Sequence, residues 1–194
     1  MSDDLHCSCQ PSTGLALRAA SAEDSALLCR FVRELAEFEG LSRECAITPE
    51  SVSEHLFGPD PSAAALVAEC DARPAGFALY YRTFSTFAAR PGLFIEDLYV
   101  RPEFRRRGIG RALLSAVAQI AHDRSAGRLE WTALKWNAKA LALYAVVGAK
   151  PMEEWTLLRM EPDGIAKLAG SCTPHPHDGC RCGGESPQHH GGNG

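Results

Sequence analysis

With 194 residues, 45% of them hydrophobic, the chain suits one globular domain with a sizeable core. Its formal charge of −4 argues against a nucleic-acid partner, and no apolar run is long enough to span a membrane. Met1 to Gln10 is too polar for a secretory signal, so the expected location is cytoplasmic, with reduced thiols.

Leu15 to Arg18 reads as a short strand. Ser21 holds the position of a helix cap, and Leu27, Phe31, Leu35 and Phe38 recur at helical spacing until Gly40. Thr48-Pro49 pairs a cap with a proline at the first helical position, and Gly58-Pro59 ends that second helix. Ala65 to Glu69 and Ala75 to Thr83 read as a hairpin around Asp71-Ala-Arg-Pro74. Leu93 to Val100 is a strand, followed by a helix from about Ile109 to Ser125. Leu129 to Leu134 is a further strand, Ala138 to Val146 a helix ended by Gly148, and Trp155 to Met160 a closing strand. Hairpins first, then strands alternating with helices, predict an α/β fold with a mixed sheet. Residues 1–12 are expected to be an unstructured N-terminal segment, 13–168 the globular domain, and 169–194 an unstructured Cys/His/Gly-rich tail. Cys29, Cys45 and Cys70 lie among apolar residues, as small core or near-surface fillers do.

The most informative stretch runs from Phe94-Ile-Glu-Asp-Leu-Tyr-Val100 through Arg105-Arg-Arg-Gly-Ile-Gly110 into an apolar helix. Backbone N–H groups in the first turn of a helix have no partner within it and carry the positive end of its dipole, so they suit a phosphate. Gly108 and Gly110 allow the backbone to approach a ligand, and the arginines add charge. A basic turn with glycines for tight packing, a nucleic-acid patch and a diphosphate site compete for this loop. Strand, basic loop and helix in succession favour the diphosphate. The loop lacks the lysine-serine/threonine ending of a triphosphate loop and the glycine spacing of the dinucleotide fingerprint.

Arg105 to Gly110 fits the Arg/Gln-x-x-Gly-x-Gly/Ala signature of the GNAT acetyltransferases without a mismatch, and the chain resembles that superfamily from about Leu15 to Leu168. Within it, the chain looks most like the diamine (spermidine/spermine) branch, which includes the thialysine acetyltransferases. The segments that carry this are Arg33-Glu-Leu-Ala-Glu-Phe-Glu39, Gly76-Phe-Ala-Leu-Tyr-Tyr81, Glu96-Asp97, Trp136-Asn137, Tyr144 and Glu154-Trp155. The resemblance implies a GNAT fold, acetyl-CoA as donor, a small primary amine as acceptor, and a homodimer with both chains near the amine site. It implies Leu98, Tyr99 and Val100 as the backbone partners of the pantetheine arm. Arg105, Arg106, Arg107, Gly108, Ile109, Gly110 and Arg111 would surround the diphosphate, with Asn137 and Lys139 along the far side of the cofactor.

Asn137 stands where a helix cap belongs, and Tyr144 follows close to two turns later on the same face. Spacing alone allows a buried structural tyrosine. In the family that this chain resembles, the matching tyrosine gives its proton to the coenzyme A sulfur, as a phenol with a pKa of about 10 can at neutral pH. Glu96 and Asp97 interrupt an apolar strand, and alternation sends them to opposite faces. The resemblance places Glu96 in the amine site, binding the cation and accepting its proton through water; the plainer alternative is a carboxylate paired with an arginine. Asp97 stays open between those readings. Phe38, Glu39, Glu130 and Glu153 align with the amine pocket of the branch, with Glu154 an equal alternative to Glu153. Several acids in one cleft favour a substrate with more than one positive charge.

Ser85 stands where a diamine enzyme commonly has Asp, which opens competition between spermidine or spermine and a shorter amine such as thialysine or lysine; Phe87 would supply an apolar wall. In the tail, His175-x-His177-x2-Cys180-x-Cys182 collects ligand types that suit zinc or copper(I). The spacing is not a standard zinc-finger form, and an extension of biased composition is the plainer reading, so no metal is assigned. A metal-binding or metal-responsive protein is the alternative function, and a non-catalytic acyl-CoA binding module a third.

Overall fold

Residues 14–171 are described in the computed structural model of the chain, which divides after Ala149 into two units. The first contains β1 (Leu15–Ala19), α1 (Ser25–Glu39), α2 (Pro49–Phe57), β2 (Ala64–Cys70), β3 (Arg73–Ser85), β4 (Arg90–Val100), α3 (Ile109–Asp123), β5 (Arg128–Trp131) and α4 (Ala138–Val146). The second contains α5 (Pro162–Ser171).

The strands form one sheet in the order β1-β2-β3-β4-β5, antiparallel except for the parallel pair β4 and β5. Asp71 and Ala72, with φ of 52° and 58°, supply the left-handed pair that a two-residue hairpin needs between β2 and β3. Side chains along β2 and β3 alternate between two cores. Leu66, Ala68, Ala78 and Tyr80 pack with Leu113 and Val117 of α3. Val67 and Phe77 pack with Leu28 and Phe31 of α1 and Val52 of α2. A sheet buried on both faces reads as near-continuous apolar runs, and β2 does. Phe31 and Phe77 stack with ring centroids 5.5 Å apart, so truncating Phe31 to Ala would cost roughly 3–5 kcal/mol.

The entry to α1 is electrostatic. Asp24 accepts the Ser21 N–H at 2.8 Å and both terminal nitrogens of Arg18 at 2.7 and 2.8 Å. The guanidinium holds this carboxyl well below the usual range, at about 2. α2 begins as its sequence predicts, with the Thr48 hydroxyl accepting the Ser51 N–H and Pro49 at the first position.

Two expectations are corrected in the second unit. No strand forms over residues 155–160. Trp155, Leu157 and Leu158 are 71%, 72% and 85% exposed, and without a ladder partner among the described residues their β-type pattern makes no sheet. α5, which the sequence did not suggest, runs past Leu168 into the segment expected to be unstructured.

Candidate active site

β4 and β5 pair only from Gly92–Arg128 to Ile95–Trp131. Beyond Ile95, β4 continues to Val100 against β3 alone. Leu98, Tyr99 and Val100 therefore lie on a strand with one edge unpaired among the described residues, the kind of edge that accepts an extended amide chain. α3 begins just after it. Gly108 caps the helix in the left-handed region, at φ 77°. At Gly110, an added Cβ would come no nearer than 3.7 Å to its closest neighbour, Leu143. A methyl group there would make ordinary contact with Leu143 and Val100, so packing does not demand glycine, while the N–H groups of this first turn suit a ligand at a helix N-terminus. Unpaired edge and open first turn together fit the pantetheine and diphosphate of a coenzyme A thioester.

The arginines of this loop diverge. Arg106 is exposed, with a φ of 63°. Arg107 lies 5.6 Å from the Phe104 ring centroid. Arg105 instead turns toward α1: its Nε donates to the Val100 carbonyl at 2.8 Å, and its guanidinium lies 4.6 Å over Phe38 and 5.8 Å over Tyr99. Arg111 and Lys139 are exposed in the first turns of α3 and α4.

On β4, Leu79 opposes Asp97 while Tyr80 opposes Ile95, so Glu96 is an extra residue in the strand. This β-bulge interrupts the strict alternation from which opposite faces are expected for Glu96 and Asp97; Glu96 lines a cavity with Leu98 and Leu114, while Asp97 opposes Leu79, which packs on the α1 side of the sheet. Ile95 and Leu98 pack on the same core, and both acids fall between them. Asp97 keeps a little solvent exposure but sits deep among protein atoms. Burial, then the charges of Glu96 and Glu39, push its carboxyl up to about 7. Glu39 ends α1, and burial raises it too.

Glu130 pairs with Arg128 at 2.7 Å, and together with Glu96 it raises the Tyr81 phenol, which burial raises first. Glu153 and Glu154 belong to the second unit, where both are exposed. Ser85 is buried, and its hydroxyl accepts the Ala88 N–H at 3.2 Å, so it closes the β3–β4 turn. Phe87, expected as an apolar wall, is 98% exposed at that turn.

Asn137 caps α4, its side-chain oxygen accepting the Ala140 N–H at 3.2 Å. Tyr144, near the other end of α4, packs against Trp131 at 5.1 Å between ring centroids. With Ile95, Glu96, Leu98, Leu114, Trp131 and Thr132 it lines a cavity of about 20 Å³ where β4 and β5 part. Burial, and then the charge of Glu39, raise the phenol above its ordinary value, so it is protonated at neutral pH. Trp131 and Leu114 were not foreseen as site residues; both read as ordinary core positions in the sequence. Phe38 meets Trp136 at 5.6 Å, joining the end of α1 to the loop before α4.

Among the described residues no group of His, Cys, Asp or Glu has a metal-holding arrangement, and no helix is long and apolar enough to cross a membrane. His175, His177, Cys180 and Cys182 lie outside the described residues.

Residues 30–149 match the model of the acetyltransferase (GNAT) family. Thialysine N-epsilon-acetyltransferase of Bos taurus is 36% identical over 165 residues, covering 79% of this chain and 96% of that protein. Spermidine/spermine N(1)-acetyltransferase-like protein 1 of Homo sapiens is 28% identical over 163 residues, covering 79% of this chain and 23% of that protein. An integron cassette protein of Vibrio cholerae shares the fold, with a TM-score of 0.69 at 24% identity over 81% of this chain and 98% of that one. The chain belongs to the GNAT acetyltransferase family.

Proposed function

We propose that this acetyltransferase moves the acetyl group of acetyl-CoA directly onto a small primary amine of the diamine or thialysine type, acting as a cytoplasmic homodimer. One observation carries the reading. Tyr144 and Glu96 line one cavity where β4 leaves β5, Asp97 is the next residue of the strand, and the charge of Glu39 at the end of α1 acts on both Asp97 and Tyr144.

The chemistry follows from those groups. An ammonium has no lone pair, so its proton must leave before the nitrogen attacks. Glu96 and Asp97 attract the cation, and a carboxyl held near 7 suits a proton acceptor at neutral pH. The nitrogen then bonds to the thioester carbonyl carbon as the carbon–sulfur bond breaks. Tyr144 protonates the departing thiolate, and the amide nitrogen gives its surplus proton to the acids or to water. One proton is released overall. The thialysine-type acceptor is supported by the Bos taurus relative.

An acetyl-CoA consumption screen over spermidine, spermine, thialysine, lysine and aminoglycosides tests the reading. Turnover is expected with thialysine-like or diamine acceptors and not with aminoglycosides. No turnover with any small amine would contradict it.

A further inference from the structure

The cavity where β4 and β5 part joins two kinds of lining. Tyr144 and Glu96 bring the reactive groups, while Ile95, Leu98, Leu114 and Trp131 bring apolar or aromatic surface. Its volume is about 20 Å³. Roughly 10–15 Å³ is needed to hold one water, so the space takes a single group of water or methyl size. The apolar part of the lining belongs to the core. Ile95 and Leu114 are 2% and 4% exposed and pack in one cluster with Leu113 and Val117. Trp131 is held by its ring contact with Tyr144. Side chains interdigitated at core density yield little to an added atom.

We propose that Leu114 and Trp131 form the wall that limits the transferred acyl group, so that the enzyme selects acetyl over longer acyl thioesters. The inference rests on the acetyl-transfer reading above and deepens it, because it names the residues that exclude other donors. The thioester carbon supplies the geometry. As the new bond forms, that carbon carries the sulfur, the attacking nitrogen, the oxygen and the acyl substituent. Tyr144, as the acid, takes the sulfur, and Glu96 draws the amine. The acyl substituent is one bond from the same carbon, so it lies against the rest of the cavity lining, where Leu114 and Trp131 stand. An acetyl methyl fills a space of that size. A propionyl or butyryl chain carries extra methylenes into Leu114 on α3 or Trp131 on β5, and both belong to regular elements rather than to a loop. Forcing methylenes into a packed core displaces its side chains, and here that cost falls on the longer donors alone.

The test compares acetyl-, propionyl- and butyryl-CoA. Kinetics use one acceptor throughout, the amine that turns over fastest with acetyl-CoA, and calorimetric titrations of the three donors use no amine. In the wild-type enzyme affinity should fall along the series, and kcat/KM should drop about tenfold or more for each added methylene. Leu114→Ala shortens the wall and should bring propionyl-CoA to within about threefold of acetyl-CoA in kcat/KM. The donors share the coenzyme A body and the acceptor, so a general loss of stability or of cofactor affinity cancels in the ratio. Leu113→Ala makes the same cut at the preceding position of α3, which does not line the cavity, and should leave the ratio as in wild type. Leu114→Val serves if the alanine variant does not fold, with a smaller shift in the same direction. Absence of either fall in the wild type would overturn the inference and leave the acetyl-transfer reading standing. So would a preference unmoved by the Leu114 variant, or moved as far by Leu113→Ala. Absence of transfer from every donor to every amine would overturn both.

Discussion

Tyr144 meets Trp131 with ring centroids 5.1 Å apart, and Trp131 is the residue of β5 at which its pairing with β4 ends. The phenol is thereby fixed at the fork between the two strands. Trp131→Leu keeps an apolar residue but removes the aromatic contact. It should lower kcat about tenfold through a misplaced acid, while leaving the acetyl-CoA dissociation constant within about twofold of wild type. Steady-state kinetics with calorimetric binding checks both halves.

The two glycines of the cofactor loop should separate stability from binding. Gly108 sits at φ 77°, so Gly108→Ala should destabilise the protein by about 1 kcal/mol. Gly110 lies in the first turn of α3 with ordinary space around it. Gly110→Ala should therefore stabilise by about 0.5–1 kcal/mol through helix propensity. Gly110→Asp should instead weaken acetyl-CoA binding at least about tenfold, because it sets a negative charge beside the N–H groups that a diphosphate would take. Denaturant melts and binding titrations on these variants give the answer.

Asp97 gives a pH signature with a definite sign. Its carboxyl is raised from 3.8 to about 7 in the fold, so the native state holds a proton that the unfolded chain has lost between those values. Its contribution to stability is greatest below pH 4 and falls as pH rises toward 7. Asp97→Asn should be more stable than wild type at pH 8, with the difference shrinking toward pH 4 in thermal melts. Its kcat/KM should also lose the wild-type rise that comes with ionisation near pH 7.

Trp155, Leu157 and Leu158 form an exposed apolar run in the second unit. Patches of this kind mark surfaces that another molecule covers. A homodimer is expected at micromolar concentration by light scattering, and Leu158→Asp should shift it to monomer.

Much of this was legible before any coordinates. The capping pattern at Thr48-Pro49, the left-handed hairpin after Cys70 and the cap at Asn137 are local signals, and each appears where local chemistry requires it. The loop from Arg105 to Gly110 was readable because glycine and arginine have few ordinary reasons to share a helix start. The bulge at Glu96 was not readable, because no glycine or proline marks it; only the register against β3 reveals the extra residue. Residues 155–160 misled for the opposite reason. Alternation reports a tendency to pair, and a strand also needs a neighbour. The direction of Arg105 was equally hidden, since it depends on Phe38, which lies far away in sequence.

The most direct test of the central claim follows both products in one reaction. Free coenzyme A thiol and acetylated amine should appear in equal amounts in the wild-type enzyme. Tyr144→Phe should lower kcat by roughly 10²- to 10⁴-fold with acetyl-CoA affinity nearly unchanged. Thiol released without acetylated amine, or full turnover in Tyr144→Phe with chemistry as the slow step, would contradict direct transfer with Tyr144 as the acid.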